Sequence, residues 1–270
     1  MKRAFGDIAE GQIHYWHGGS GGSCPLVYLH PGPGTARHQV PLGAALATAR
    51  HVILPDIMGM GDSVAPPETV GRPDVGYFAD AMFRFLDGLG ITQVDLFGSS
   101  LGGRICVEMA RLKPDRVRRL VLNRVLVLQG EDLDAMKKNH GPEVKPDQHG
   151  TYIWFVWTRM RNLYTYFPWF KTTAANMRKA DLPSADLLHL SFVEHMKMCA
   201  TSHKAFTAYY DYPTAERLAQ LNVKTMARPD TPKLIPGAVE WTPSFDGDSM
   251  QAPPAALAGL AAQIAAFLDS

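Results

Sequence analysis

Short apolar runs of strand length alternate with stretches of helical spacing over residues 1–130, and this alternation predicts a mostly parallel sheet covered by helices on both faces. The strand-like runs are Gln12 to Trp16, Pro25-Leu26-Val27-Tyr28-Leu29, His51-Val52-Ile53-Leu54-Pro55, Val94-Asp95-Leu96-Phe97 and Arg119-Leu120-Val121-Leu122. Gly18-Gly19-Ser20-Gly21-Gly22-Ser23 turns the chain between the first two. After the second, the prolines and glycines of His30-Pro31-Gly32-Pro33-Gly34 force a loop. Residues 75 to 89 place Phe78, Met82, Phe85 and Leu86 on one helical face. Leu101 to Leu112 returns to that spacing before Pro114 ends it.

Strand alternation disappears over residues 131–221. That segment is helical in character and crowded with Tyr152, Trp154, Phe155, Trp157, Tyr164, Tyr166, Phe167, Trp169 and Phe170, which predicts a helical cap inserted into the sheet domain. Strand-like runs resume within residues 222–270 at Val223-Lys224-Thr225-Met226 and Val239-Glu240-Trp241, and an Ala-rich helix from Ala255 to Leu268 follows. No internal repeat is visible.

Composition narrows the function classes. A chain of 270 residues, 46% hydrophobic and 20% charged, can bury one large α/β core with an inserted subdomain. Its 27 basic and 26 acidic residues are scattered, so nothing favours nucleic acid or an anionic membrane as a partner. A small-molecule substrate fits better, bound by a monomer or homodimer. The start, Met1-Lys2-Arg3-Ala4-Phe5-Gly6-Asp7, breaks into charge and glycine, and no run reaches the roughly 20 apolar residues of a spanning helix; both point to a cytoplasmic protein. Cys24, Cys106 and Cys199 have neither metal-type spacing nor a disulfide pattern, so they read as buried thiols, and no metal or cofactor is expected.

The chemistry is carried by Gly98-Ser99-Ser100-Leu101-Gly102, a G-x-S-x-G motif between a short apolar strand and a helix. A serine at so sharp a turn has strained backbone angles, and flanking glycines let neighbouring backbone pass closely. Ser100 would then sit at a helix N-terminus, where free N–H groups favour negative charge. Acyl transfer needs two N–H donors aimed at the developing oxyanion, one of them on the residue after the nucleophile, here Leu101. Prolines have no N–H, so Gly32 is the chosen second donor in the His30–Gly34 loop.

Through His30-Pro31-Gly32-Pro33-Gly34, Pro55-Asp56-Ile57-Met58-Gly59-Met60-Gly61-Asp62-Ser63 and Gly98-Ser99-Ser100-Leu101-Gly102-Gly103, the chain resembles the α/β-hydrolase superfamily. It is similar in particular to the cap-bearing branch that includes epoxide hydrolases, haloalkane dehalogenases, proline iminopeptidases, esterases and meta-cleavage C–C hydrolases. Serine at position 100, where the dehalogenases and epoxide hydrolases carry aspartate, resembles the last three. Pro31 departs from the glycine usual in the family loop. The resemblance implies an α/β-hydrolase fold with an inserted cap.

It also implies a catalytic histidine after the last strand, and here the chain departs from the family. The ten histidines end at His203. Where Gly-His or Gly-Asp-His is usual, the chain reads Phe245-Asp246-Gly247-Asp248-Ser249-Met250, so Ser249, with Asp248 beside it, stands in the histidine's place. Asp230 is the best match to the triad acid, with a plain turn aspartate as the competing reading. His30 is a candidate base, although its position in the family more often organises the loop. Asp248 and cap residues His140, His149, His189, His195 and His203 are further possible partners, while Asp56 and Asp62 are expected to brace their turn.

Cap aromatics offer large apolar area with few rotatable bonds, which suits a bulky apolar or aromatic substrate, with Trp154, Trp157 and Tyr164 as candidate lining residues. Three functions compete. One is hydrolysis of an ester, thioester or C–C bond with an atypical triad. The second is a non-hydrolytic cyclase, lyase or dehydratase of specialised metabolism, and the third is ligand binding without chemistry.

Overall fold

The structure, a computed structural model, describes every residue except 230, 232, 246 and 247. Its centre is one sheet of eight described strands: β1 (Lys2–Ile8), β2 (Gly11–Gly18), β3 (Leu26–Leu29), β4 (Val52–Pro55), β5 (Val94–Ser99), β6 (Val117–Asn123), β7 (Lys224–Ala227) and β8 (Val239–Glu240). Their spatial order is β1-β2-β4-β3-β5-β6-β7-β8. β2 runs antiparallel to both β1 and β4, and every other neighbouring pair is parallel.

The two faces follow from the period of two along each strand. On β3, Leu26 and Tyr28 point to one side and Val27 and Leu29 to the other. The first side packs on α1 (Val40–Leu46) and on α9 (Pro254–Asp269) through Leu257, Leu260, Ile264 and Leu268. The second packs on α2 (Val75–Gly88) and α3 (Leu101–Leu112), whose Phe78, Met82, Phe85, Ile105 and Met109 are buried. Continuously apolar β3 and β4 are therefore central strands covered twice, as parallel sheets require.

The expected elements are present within a residue or two, and α3 spans Leu101–Leu112 as expected. Two elements escaped the sequence reading. β1 carries Lys2, Arg3 and Asp7 on an edge whose pattern is mostly exposed, so it offered no apolar run to detect. α1 is a seven-residue helix with Pro41 in its first turn. Between β6 and β7 lie α4 (Gly130–Asn139), α5 (Thr151–Thr165), α6 (Ala185–Met198), α7 (Ser202–Asp211) and α8 (Thr214–Ala219), with no strand among them. No helix among the described residues is long and apolar enough to cross a membrane. All three cysteines are buried free thiols.

Candidate active site

β5 ends at Ser99 and α3 starts at Leu101, so Ser100 alone makes the corner, with φ 50° and ψ −109°. A non-glycine residue held at such angles costs roughly 1–3 kcal/mol, and it persists only where neighbours fix it. Here its N–H donates to the Asn123 carbonyl at 3.0 Å, and its carbonyl accepts from the Arg104 N–H at 3.2 Å. The flanking glycines are needed for space. A Cβ on Gly98 would lie 2.6 Å from the Gly103 Cα, and one on Gly102 would lie 2.4 Å from the Leu29 carbonyl oxygen. Helix α3 can thus start directly against the ends of β5 and β3.

The loop after β3 is fixed by buried polar groups. His30 is wholly buried; its Nδ1–H donates to the Pro31 carbonyl at 2.9 Å, and its Nε2 accepts from the Ile57 N–H at 3.0 Å. Burial pushes its pKa down. With both ring nitrogens engaged, His30 is a bracket for the loop, which corrects its candidacy as the base. Asp56 does comparable work: its carboxylate accepts from the Ala36 N–H at 2.7 Å, the Asp62 N–H at 3.1 Å and the His14 ring at 2.7 Å. Burial would raise the Asp56 pKa, but these donors outweigh it and hold the carboxyl below its ordinary value.

Ser100 and Gly32 both open onto a cavity of about 620 Å³. Gly32 also lies close to Leu101, because a Cβ on Gly32 would be 3.1 Å from Leu101 Cδ2. Among the described residues, neither the Gly32 nor the Leu101 N–H has an acceptor. The helices between β6 and β7 line the cavity with Met136, His140, Met160, Tyr164, His195 and Tyr209. Of the expected lining aromatics, Tyr164 is there. Trp154 is not: it is 73% exposed on the outer face of α5. Trp157 packs edge-on against Phe192 instead of lining the cavity.

The segment expected to carry the base is bonded elsewhere. The Ser249 hydroxyl donates to the His38 carbonyl, and Asp248 accepts from the Tyr164 hydroxyl at 3.0 Å; both residues line the cavity. Asp230 lies outside the described residues. Of the cap histidines, His140 and His195 are buried at the cavity wall, whereas His149 and His189 are exposed and His203 is half-buried. The His195 Nδ1–H donates to the Ser191 carbonyl at 2.8 Å. Among the described residues, His195 Nε2 and His140 Nδ1 have no hydrogen-bond partner. Burial, reinforced by the charge of fully buried Arg159, holds both pKa values down at about 3, so these rings are neutral.

No histidine among the described residues is hydrogen-bonded to Ser100. Its hydroxyl donates instead to the Tyr209 hydroxyl at 3.4 Å. The sequence reading missed Tyr209, although Phe206, Tyr209 and Tyr210 form an i, i+3, i+4 stripe along α7 that could have marked it. One cluster, His14, Asp56 and Asp62, brings metal-type ligand atoms within 4.8 Å of one another. Its charges are already met by protein: Asp62 pairs with Arg3 at 2.9 Å and Lys197 at 3.0 Å.

A parallel sheet flanked by helices, a strained serine between the fifth strand and its helix, and a helical insertion above define an α/β-hydrolase-fold protein. Residues 25–142 match the family described as alpha/beta hydrolase fold. That stretch of the chain is similar to the α/β-hydrolase superfamily. It is 41% identical over 109 residues to a 2-hydroxymuconate semialdehyde hydrolase of Pseudomonas sp. (strain CF600), covering 38% of this chain and 37% of that one. It is 29% identical over 121 residues to a proline iminopeptidase of Heyndrickxia coagulans, covering 44% and 41%. The matched stretch thus spans well under half the length of these relatives. A bromoperoxidase structure from Bacillus anthracis matches the fold along the whole of both chains, with TM-score 0.74 and 18% identity.

Proposed function

We propose that this protein is an enzyme that hydrolyses an ester, thioester or C–C bond next to a carbonyl in a bulky apolar or aromatic small molecule. In this reading Ser100 Oγ adds to the carbonyl carbon, and the N–H groups of Gly32 and Leu101 receive the oxyanion. The observation that carries it is the strained Ser100 corner, which opens onto a 620 Å³ cavity that Gly32 also lines. Such strain is retained where a site needs it. Apolar walls, including Leu42, Phe97, Leu126, Leu128, Met136 and Met160, support the substrate class. Relatives that are hydrolases support the reaction class.

A second reading, a non-hydrolytic lyase, cyclase or dehydratase that polarises a carbonyl without acylation, is favoured by the lack of a histidine at Ser100 among the described residues. Ser100→Ala separates the two. Under the hydrolytic reading, turnover of p-nitrophenyl phenylbutyrate falls by about a thousandfold or more, measured as release of nitrophenol. Unchanged turnover would overturn it.

A further inference from the structure

We infer that Tyr209 is the proton-transfer group for Ser100, reached from the helical insertion in place of the usual histidine; this rests on the reading of Ser100 as nucleophile. The direction of the hydrogen bond comes first. The Ser100 hydroxyl is the donor and the Tyr209 oxygen the acceptor, which is the polarity needed to remove the nucleophile's proton. At 3.4 Å the contact is long, and catalytic hydrogen bonds are commonly long before substrate tightens them.

The setting of the ring is the second observation. Tyr209 is 5% exposed, and its side chain borders the same cavity as Ser100. The Arg104 guanidinium lies over its ring, 3.5 Å from the centroid, and Tyr210 packs edge-on at 4.6 Å. Arg104 is itself buried on the nucleophile helix, where Nε donates to Thr214 Oγ1 at 2.7 Å and Nη2 to the Leu126 carbonyl at 2.8 Å. A cation is thus anchored against the face of the ring that contacts the nucleophile. Such a charge stabilises the negative charge that develops on the phenolic oxygen as its own proton moves to the departing atom. A tyrosine that merely packed the insertion would need neither the hydroxyl at Ser100 nor a buried cation on its face.

The steps balance without any group beyond water. As Ser100 Oγ bonds to the carbonyl carbon, its proton passes to Tyr209 Oη while the phenolic proton moves to the departing atom, and the bond to the leaving group breaks. Water then adds to the acyl-serine, gives a proton to Tyr209 Oη, and the phenolic proton returns to Ser100 Oγ as the acid leaves. Tyr209 ends each half-reaction as it began, and Arg104 acts as a positioning residue.

This relay makes a prediction that packing alone does not. Tyr209→Phe removes one oxygen, and it should slow the methyl ester of phenylbutyrate by about 100-fold or more, since methoxide must leave protonated. The p-nitrophenyl ester of the same acid should lose about tenfold or more, because Ser100 and the deacylating water still need Tyr209 Oη as acceptor although nitrophenolate leaves without a proton. Rates would be measured beside wild type and Ser100→Ala, with thermal unfolding as the control for folding. Loss on both esters with the unfolding temperature unchanged, and both esters lost in Ser100→Ala, supports the inference. Rates within threefold of wild type on either ester, in a variant that unfolds at the wild-type temperature, overturn it while leaving Ser100 as nucleophile. Turnover retained in Ser100→Ala, or cleavage of neither ester by wild type, overturns the reading on which it rests.

Discussion

The β5–α3 corner and the return segment after β7 were both expected to supply catalytic groups, yet they are built in opposite ways. At the corner, strained backbone, two close-packed glycines and the buried His30 and Asp56 brackets fix every position. After β7, the described residues make a two-residue exposed strand, and the Asp248 and Ser249 side chains are bonded to Tyr164 of the helical insertion and to the His38 carbonyl. The difference teaches where an active site can change. Presenting a nucleophile is a property of the backbone, which the whole sheet enforces. A base is one side chain on a loop, and a different element can replace it.

The comparison can be broken by adding a single methyl group to the corner. Gly102→Ala places its one Cβ 2.4 Å from the Leu29 carbonyl oxygen and 2.6 Å from that of His30, so the helix and the neighbouring strand end must separate. We expect a loss of about 3–4 kcal/mol, of the size that overpacking and backbone strain produce, measured by urea unfolding. A loss below about 1 kcal/mol would mean the corner is looser than described.

Acid provides a second, intermediate test on the cavity wall. His140 and His195 stay neutral in the folded protein down to about pH 3, whereas unfolded histidine takes up a proton near pH 6.5. Between those values the unfolded chain binds more protons, so stability is lost as pH falls from about 6.5 toward 3. Each ring contributes up to about 1.4 kcal/mol per pH unit in that window. Unfolding free energies at pH 7 and pH 5 should therefore differ less in His140→Gln/His195→Gln than in wild type. An unchanged difference would mean that the rings are hydrated.

The smallest effect belongs to the return segment. Leu234 is 41% exposed, and Leu234→Ala should change stability by no more than about 0.5 kcal/mol, by the same urea assay. A cost above 2 kcal/mol would remove the contrast between the two regions.

What could be read from the sequence follows the same division. G-x-S-x-G between strand and helix located Ser100 because the motif states a backbone requirement that few other residues satisfy. The doubly covered strands β3 and β4 were visible as unbroken apolar runs, whereas edge strand β1 has too few buried residues to leave one. Trp154 and Trp157 were chosen because aromatics cluster along α5, but which neighbour each one meets is set by the fold: Trp154 faces outward and Trp157 packs on Phe192. Tyr209 was missed because its partner is 109 residues away, and only the fold of the insertion brings the two hydroxyls together.

The central claim is that Ser100 is a nucleophile facing the cavity. Digestion and mass spectrometry after treatment with a fluorophosphonate give the most direct measure. The account predicts a phosphonyl adduct on the peptide containing Ser100, formed more slowly than in a serine-histidine enzyme and absent from Ser100→Ala. An unmodified Ser100 after prolonged treatment, or an adduct confined to another residue, would contradict it.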